Sequence, residues 1–353
     1  LASTWGGAAP PNSAGDTAGT PIVYIPNGTH ILLDVSVYVR IWVIEGKLTV
    51  EDGGDIEVGA EAIVINHGEL HVGSAANPFA HNCTITLHGH HTTPQLPIFG
   101  IKLLGLTRGK IFMHGTPKTS FAKLASTASA GSTSLALDAP PTNWLPGDLL
   151  VVTSGTHDIN CTMLRNDVCE TEEVTLVAVS GSTITIAAPL RYTHPVQTLT
   201  ADGRTVTLAL EVINLNRNVR IRGSDGPGTS GFGGHVMLLQ PTDAESAFHH
   251  VEFTRMGQAM RVGRYPLHLH AVTDQGGVGD LSNVTVVGVS VHHSFNRGLN
   301  IHGGTGATVA SSTIYKNLGH AFFVEDGSET KNTFVGNLGA MTMRATSLLE
   351  SDN

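Results

Sequence analysis

Basic residues, cysteines and long apolar runs are all scarce in this chain of 353 residues. Lys and Arg together number 20 against 29 Asp and Glu, which gives a formal net charge of −9. Because phosphate binding needs clustered Lys and Arg, and no long basic run occurs, this balance argues against nucleic acid as the main partner. No stretch reaches the ~20 apolar residues of a membrane span, so none is predicted. The first residues are not a basic and apolar leader, and we expect that any signal peptide has been removed.

The three cysteines are Cys83, Cys161 and Cys169. Cys161 and Cys169 flank a polar loop, residues 162–168, of suitable length for a disulfide, which would leave Cys83 single. Such a pair would favour an oxidising compartment and therefore secretion. The glycosylation acceptor pattern occurs at Asn27, Asn82, Asn160 and Asn283, and it permits secretion without proving it.

Short β-branched runs between turn residues dominate the chain, and windows with helical periodicity are absent. With 41 Gly and only 14% charged residues, this pattern predicts an all-β protein. Gly46, Gly68 and Gly89 are 22 and 21 positions apart, and we expect them at equivalent corners of successive coils.

Three parts follow from the changes in this rhythm. Residues 1–124 are predicted to form the first coils, and residues 206–353 the main ones. Residues 125–205 are predicted to form an inserted β-subdomain, with Trp144 as its apolar anchor.

An offset of 23 residues relates two segments near the C-terminus. The pairs that it aligns are Leu299 with Phe322, Ile301 with Val324, and His302 with Glu325. Repeats of this kind without helical periodicity are typical of a parallel β-helix. An earlier segment with the same alternation places His270 over His302 after a longer loop.

Side chains in a strand alternate between its two faces, so the apolar residues of these segments are expected inside the coil. His270, His302 and Glu325 would then converge on one outer surface, with His268 beside them. Two imidazoles and a carboxylate can ligate a divalent metal such as zinc, or form a general acid/base set. A plain polar ladder on a solvated face is the alternative.

The chain resembles the eight-glycine-domain family of cell-surface hyaluronidases and fibrocystins. The resemblance lies in residues 46–50, 68–73, 77–79, 85–89, 113–115, 144–148, 172–174, 189–192, 211–218, 264–270, 301–303 and 319–334. These segments follow the family's order over nearly the whole chain. Two departures are the loop 160–169, which looks like an insertion, and the end at Asn353, where relatives are expected to continue.

The resemblance implies an extracellular right-handed β-helix, with residues 1–124 as the eight-glycine-type domain. It also implies hyaluronan depolymerisation and calcium dependence for the hyaluronidase-like members. Fibrocystins share the architecture without an assigned hydrolytic role, so the resemblance by itself does not make this chain an enzyme.

The leading hypothesis is a secreted or surface enzyme, acting as a monomer, that cleaves an anionic polysaccharide such as hyaluronan. In a hydrolytic scheme Glu325 works with Asp326 or Glu329 as acid and base, while His270 and His302 orient the site or ligate metal. The residues expected to hold the substrate are Arg264, Arg297, His293 and His320.

Three alternatives remain open at this point. A lyase would use a cation and a base to remove a proton next to the uronate. A non-catalytic carbohydrate-binding or adhesion β-helix would bind glycans without turnover. A metal held by the histidines could also serve structure alone.

Overall fold

The computed structural model describes residues 22–156, 169–239, 245–273 and 276–343, and every regular element in these ranges is a β-strand. The all-β prediction is therefore confirmed. The chain divides into two compact units, residues 1–116 with 217–353, and residues 117–216. None of the described segments forms a helix long and apolar enough to cross a membrane.

The first strands of the larger unit are β1 (Ile22–Ile25), β2 (His30–Leu33), β3 (Val37–Ile44), β4 (Lys47–Val50), β5 (Ile56–Val72), β6 (Cys83–Leu87) and β7 (Leu103–His114). The smaller unit contains β8 (Phe121–Lys123), β9 (Ser134–Ala136), β10 (Leu149–Val152), β11 (Glu172–Ser180), β12 (Thr183–Ile186), β13 (Gln197–Ala201), β14 (Arg204–Leu208) and β15 (Glu211–Asn214). The larger unit resumes with β16 (Val219–Gly223), β17 (His235–Leu239), β18 (Ser246–His249), β19 (Val251–Thr254), β20 (Leu267–His270), β21 (Gly279–Asp280), β22 (Val284–Val287) and β23 (Ser290–Ser294). Its last strands are β24 (Leu299–His302), β25 (Gly304–Thr305), β26 (Thr308–Ala310), β27 (Thr313–Asn317), β28 (Phe322–Val324), β29 (Thr333–Val335) and β30 (Leu338–Ala340).

The larger unit is a parallel β-helix, as predicted, built from three ladders of stacked strands. Ladder I follows the order β1, β3, β5, β7, β17, β20, β24, β28. Ladder II follows β2, β4, β5, β7, β18, β22, β26, β29. Ladder III follows β3, β5, β6, β16, β19, β23, β27, β30. The long strands join the ladders to one another: β3 belongs to ladders I and III, β7 to ladders I and II, and β5 to all three.

The predicted offset of 23 residues is confirmed by the register of these ladders. Leu299 pairs with Phe322 and Ile301 with Val324, while Val291 pairs with Ile314 on ladder III. The interior is a continuous apolar stack, and Leu299 and Ile301 are both 0% exposed within it. Each fully buried aliphatic side chain of this kind contributes about 1.5–3 kcal/mol relative to an exposed one.

A column of glycines marks one corner, but it is not the predicted one. Gly46 and Gly68 do lie at equivalent positions, because the residues after them, Lys47 and Glu69, are paired. The next member is Gly109, which pairs with Gly68, whereas Gly89 follows β6 on ladder III. A Cβ on Gly68 or Gly109 would lie 2.4 Å or 2.1 Å from a carbonyl oxygen of the preceding coil, so only glycine fits. The spacing gave the wrong successor to Gly68 because the coil between Gly68 and Gly109 contains a long connecting segment between β6 and β7.

The smaller unit is an antiparallel β-structure by itself. Its six-stranded sheet has the order β8, β15, β10, β11, β12, β9, and β13 and β14 form a separate hairpin. Trp144 is 4% exposed within the apolar core of this unit, and its Nε1 donates to the Thr119 carbonyl at 2.7 Å. Its ring is thus used for packing, as expected. The unit begins at Pro117 and ends at Asn216, so it extends beyond the predicted range 125–205 at both ends.

The described residues include two of the three cysteines, Cys83 and Cys169. Cys83 is free and buried, and Cys169 is buried at 2% exposure. Cys161 lies outside the described residues, so the disulfide between Cys161 and Cys169 stays a prediction.

Candidate functional site

The predicted polar column lies on the outer face of ladder I. The register places His270 on His302, as the sequence predicted, and His268 on Asn300. The alternating residues Leu267 and Leu269 are 0% exposed in the interior. Alternation therefore turns both histidines of β20 to the outside of the coil.

His268 differs from its neighbours because it is outside the coil and yet buried, at 2% exposure. Its Nδ1 lies 3.1 Å from the carbonyl oxygen of Gly263, and the Tyr265 ring packs against it at 4.9 Å. A carbonyl only accepts, so Nδ1 carries the proton and Nε2 keeps its lone pair. Burial lowers the pKa of His268 well below its usual value, with a further contribution from His270. His268 is therefore a neutral, oriented imidazole.

His302 is the accessible histidine of this cluster, with a side chain that is 27% exposed. Its ring lies parallel to that of His268, with an interplanar angle of 2° and 5.9 Å between centroids. The His270 ring meets it edge-on at 4.7 Å. The Nε2 atom of His302 is 3.2 Å from Oδ2 of Asp326, and its Nδ1 is 3.8 Å from Oε2 of Glu325. The structure thus brings together all four residues predicted to be catalytic.

Two side chains, those of Asn300 and Arg297, contact the carboxylate of Glu325. Asn300 Nδ2 donates to its Oε2 at 2.7 Å, and Arg297 approaches its Oε1 at 3.4 Å. Arg297 is 0% exposed, lies over the Phe323 ring at 3.9 Å, and donates to the Tyr265 hydroxyl at 3.1 Å. The expectation that Arg297 binds substrate carboxylates is therefore wrong, because its guanidinium is fully buried beneath the site. It positions Glu325 instead.

Glu329 is also committed to structure. Its Oε1 accepts hydrogen bonds from the backbone N–H groups of Gly303 at 2.9 Å and Asp326 at 3.0 Å. Burial raises the pKa of Glu329, but these backbone donors outweigh that effect and lower it. This carboxylate fixes the turn that carries Asp326. Of the two predicted partners of Glu325, Glu329 is half-buried and Asp326 is exposed.

The remaining predicted substrate residues are divided between two faces. His320 is exposed and packs on the Phe323 ring at 4.6 Å, close to the cluster. Arg264 is half-buried and donates to the carbonyl of Ile98 at 2.7 Å. His293 belongs to β23 on ladder III, where its Nδ1 lies 2.9 Å from that of His292. Its assignment to the same site is therefore wrong, because ladder III forms another side of the coil.

Two polar clusters outside ladder I were not predicted. On ladder III, Glu252 is 2% exposed and contacts Arg220 at 2.8 Å and His292 at 3.2 Å. Burial would raise the pKa of Glu252, but the hydrogen bond and charge of His292 and the charge of Arg220 lower it to about 2. The sequence does contain a signal for this cluster, because Arg220, Glu252 and His292 occupy outward positions of three successive strands of ladder III.

On ladder II, a cleft of about 490 Å³ is lined by residues that include Phe112, His114, His249 and Asn283. The rings of His114 and His249 meet edge-on at 4.6 Å. Neither His249 nor its neighbour His250 joins the ladder I cluster. The histidines of ladder II thus lie on a different face from the ladder I cluster.

Comparison with known proteins agrees with the architecture. The family model of the G8 domain matches residues 4–125, and that of the CEMIP beta-helix matches residues 231–353. Human fibrocystin-L is 35% identical over 392 residues, which cover 99% of this chain and 9% of fibrocystin-L. Human cell surface hyaluronidase CEMIP2 is 32% identical over 225 residues, which cover 60% of this chain and 15% of that protein. The chain thus spans a small part of these relatives.

Among solved structures, the Gp54 tailspike of Acinetobacter baumannii bacteriophage AP22, in complex with a capsular saccharide, matches 86% of this chain and 64% of the tailspike chain. The identity is 12% and the TM-score 0.23.

Proposed function

Because this chain belongs to the family of proteins that carry a G8 domain and a CEMIP β-helix, we propose that it binds and hydrolyses an extracellular, uronic-acid-containing polysaccharide such as hyaluronan. The observation that carries the proposal is the cluster on ladder I, where a solvent-accessible His302 contacts Asp326 at 3.2 Å beside a clamped Glu325. The name of a relative as a cell surface hyaluronidase supports this substrate class.

Hydrolysis of a glycosidic bond needs one group that protonates the leaving oxygen and another that takes a proton from water or attacks carbon. Glu325 bears its negative charge against the buried guanidinium of Arg297, which suits the second role. The His302–Asp326 pair is more exposed and supplies the proton to the leaving oxygen. His270 packs edge-on against His302 and limits the movement of its ring.

The substrate is expected to lie along the outer face of ladder I. His320 packs on Phe323 close to the cluster, and Arg264 lies in the segment that leads into β20. Both are polar or cationic groups suited to a uronate chain. The side chain of Glu325 is 16% exposed, and the side chains of His302 and Asp326 are more exposed. The reacting sugar would therefore lie over His302 and Asp326.

The test is size-exclusion analysis of hyaluronan, chondroitin and other uronate polymers after incubation with the protein. Wild type is expected to shorten one of them, and His302→Ala or Asp326→Asn to slow this by about 10²–10⁴-fold, the usual contribution of general acid–base catalysis. His249→Ala, a half-buried histidine on ladder II, is the matched control and should keep wild-type activity. Absorbance of the products in the ultraviolet separates the alternatives, because only a lyase creates an unsaturated uronate.

A second candidate function is glycan binding or adhesion without cleavage. It is favoured by the similarity to fibrocystin-L over 99% of this chain. It predicts that well-folded wild type shortens no polymer, and that His302→Ala and Asp326→Asn bind glycans as wild type does. That result would contradict the enzymatic proposal.

A further inference from the structure

The buried imidazole of His268 has one nitrogen that the protein leaves unsatisfied. Its Nδ1 is used by the carbonyl of Gly263, while its Nε2 is buried and makes no hydrogen bond among the described residues. An unsatisfied buried polar atom costs about 1–3 kcal/mol, so native proteins keep few of them without a ligand, ion or water to compensate. The Nε2 lone pair is therefore a feature of ladder I that calls for an occupant, and of the unsatisfied atoms there it is the one that shares a possible ligand group with a histidine and a carboxylate.

The two residues that could share an occupant with His268 are His302 and Glu325. One ligand atom from each of the three lies within 4.8 Å of the other two. Two ligands of one tetrahedral zinc ion are about 3.4 Å apart, so ion binding needs side-chain adjustments of about 1 Å. The partly exposed side chains of His302 and Glu325 have room for this, whereas His268 is fixed.

The surroundings hold these ligands as the partners of metal ligands do in known sites. A metal-bound histidine generally donates its other N–H to a carbonyl or carboxylate, which fixes the ring and the tautomer. The contact from His268 Nδ1 to Gly263 has this form. Asn300 and Arg297 contact the carboxylate of Glu325 and orient it towards this position. The protein thus orients His268 and Glu325, and the adjustment of about 1 Å falls on the partly exposed side chains of His302 and Glu325.

The chemistry of the donor set points away from calcium, the ion implied by the family resemblance. Calcium takes six to eight oxygen ligands, whereas imidazole nitrogens suit zinc and similar transition metals. This cluster offers two nitrogens and one carboxylate. The nearby Glu329 accepts two backbone N–H groups with its Oε1, and its Oε2 makes no hydrogen bond among the described residues, so it could add at most one free oxygen to a set that calcium would need to be much larger. Three protein ligands would leave one zinc position open to solvent or substrate, as in catalytic zinc sites.

We propose that His268, His302 and Glu325 form a binding site for a zinc-class transition metal, and that His270 is not one of its ligands. The proposal deepens the function proposed above, on which it rests only for the role of the ion in cleavage. With an ion bound, His302 and Glu325 would be ligands and not the acid and base themselves. The ion would then activate the attacking water in place of Glu325, and Asp326 would protonate the leaving oxygen. His270 is the competing candidate, because its Nδ1 is also buried without a hydrogen bond. Its ligand atoms nevertheless lie outside the group of three.

Isothermal titration calorimetry on chelator-treated protein, with zinc chloride and separately with calcium chloride, tests this proposal. We expect one equivalent of zinc to bind with a micromolar or lower dissociation constant and to raise the melting temperature, while millimolar calcium does neither. His302→Gln and His268→Phe should weaken zinc binding at least about 100-fold, because each removes a ligand. His268→Phe keeps the buried ring, and His302→Gln lies at a partly exposed position, so the two variants check each other against misfolding.

His270→Ala and the ladder II control His249→Ala should bind zinc within about threefold of wild type. Absence of zinc binding to folded wild type, undiminished binding to His302→Gln, or loss of binding in His270→Ala alone would overturn the proposal. The proposed function can fail separately. Zinc binding without any polymer shortening refutes the enzyme and keeps the metal site, and shortening by metal-free protein in the presence of chelator refutes the metal's role in cleavage.

Discussion

Removing the carboxylate of Glu325 is expected to destabilise the coils that carry the site. Arg297 is 0% exposed, and it forms an ion pair with Glu325. Breaking a buried pair from one side leaves an uncompensated buried charge and costs about 3–5 kcal/mol. Because each coil of a solenoid contacts only its neighbours, this loss should stay local to β24 and β28.

Hydrogen exchange of the backbone amides is the suitable assay, since it reports local opening strand by strand. A loss of about 4 kcal/mol corresponds to an increase of about 10³-fold in the exchange rate of amides in β24. In Glu325→Ala we expect this increase in β24 and β28, and unchanged exchange in β3, which lies several coils away on the same ladder.

The double variant Arg297→Met/Glu325→Ala provides the test of cause. Methionine is an unbranched side chain that can fill the space between Phe323 and Tyr265 without a charge. Replacing both members of a buried pair is often close to neutral, so the double variant should regain at least half of the lost protection. The reasoning is refuted if the double variant exchanges as fast as Glu325→Ala, or if Glu325→Ala leaves β24 protected.

Two further predictions concern other parts of the chain. Burial, together with His249 and His71, lowers the pKa of His114 to about 4, so its stabilising contribution is complete above the unfolded pKa of about 6.5 and is lost as the pH falls towards 4. That loss is about 3 kcal/mol at pH 4, and His114→Gln should flatten the fall in the urea midpoint between pH 7 and pH 4; parallel curves for the two proteins would contradict this. In the smaller unit, Glu172 is 4% exposed and accepts the backbone N–H groups of Arg191 and Tyr192 and a contact from His194 at 3.1 Å. Glu172→Ala should therefore cost about 3–5 kcal/mol, measured as faster exchange in β10 and β11, whereas the exposed neighbour Glu173→Ala should change little.

The β-helix could be predicted from the sequence because the same pattern of apolar and polar residues recurs in successive segments of the chain. The apolar positions of Leu299 and Ile301 recur 23 residues later, and strand alternation then fixes which side chains point outward. The glycine spacing failed because Gly89 and Gly109 are both plausible successors of Gly68. Only the backbone contact between coils, a Cβ distance of 2.1 Å at Gly109, distinguishes them.

Burial on the outer face could not be predicted in the same way. Alternation gives His268 and His270 the same direction, yet His268 is 2% exposed and His270 is half-buried. The difference arises from the turn at Gly263 and Tyr265, which covers His268, and a turn's position over a strand is not encoded in a repeat. Arg297 was expected to hold the substrate, and its burial could not be predicted for the same reason.

Arg297 and His268 are both buried outside the coil, but they differ in what they indicate about function. The Arg297–Glu325 pair stabilises the coil when it is intact, so a protein could keep it without any activity. The Nε2 atom of His268 is buried and makes no hydrogen bond among the described residues, and such an atom costs about 1–3 kcal/mol when nothing compensates for it. Local choices that oppose stability are expected mainly at functional sites, where a ligand compensates for them. The buried His268 is therefore stronger evidence for a functional site on ladder I than Glu325, the carboxylate that the sequence repeat indicated.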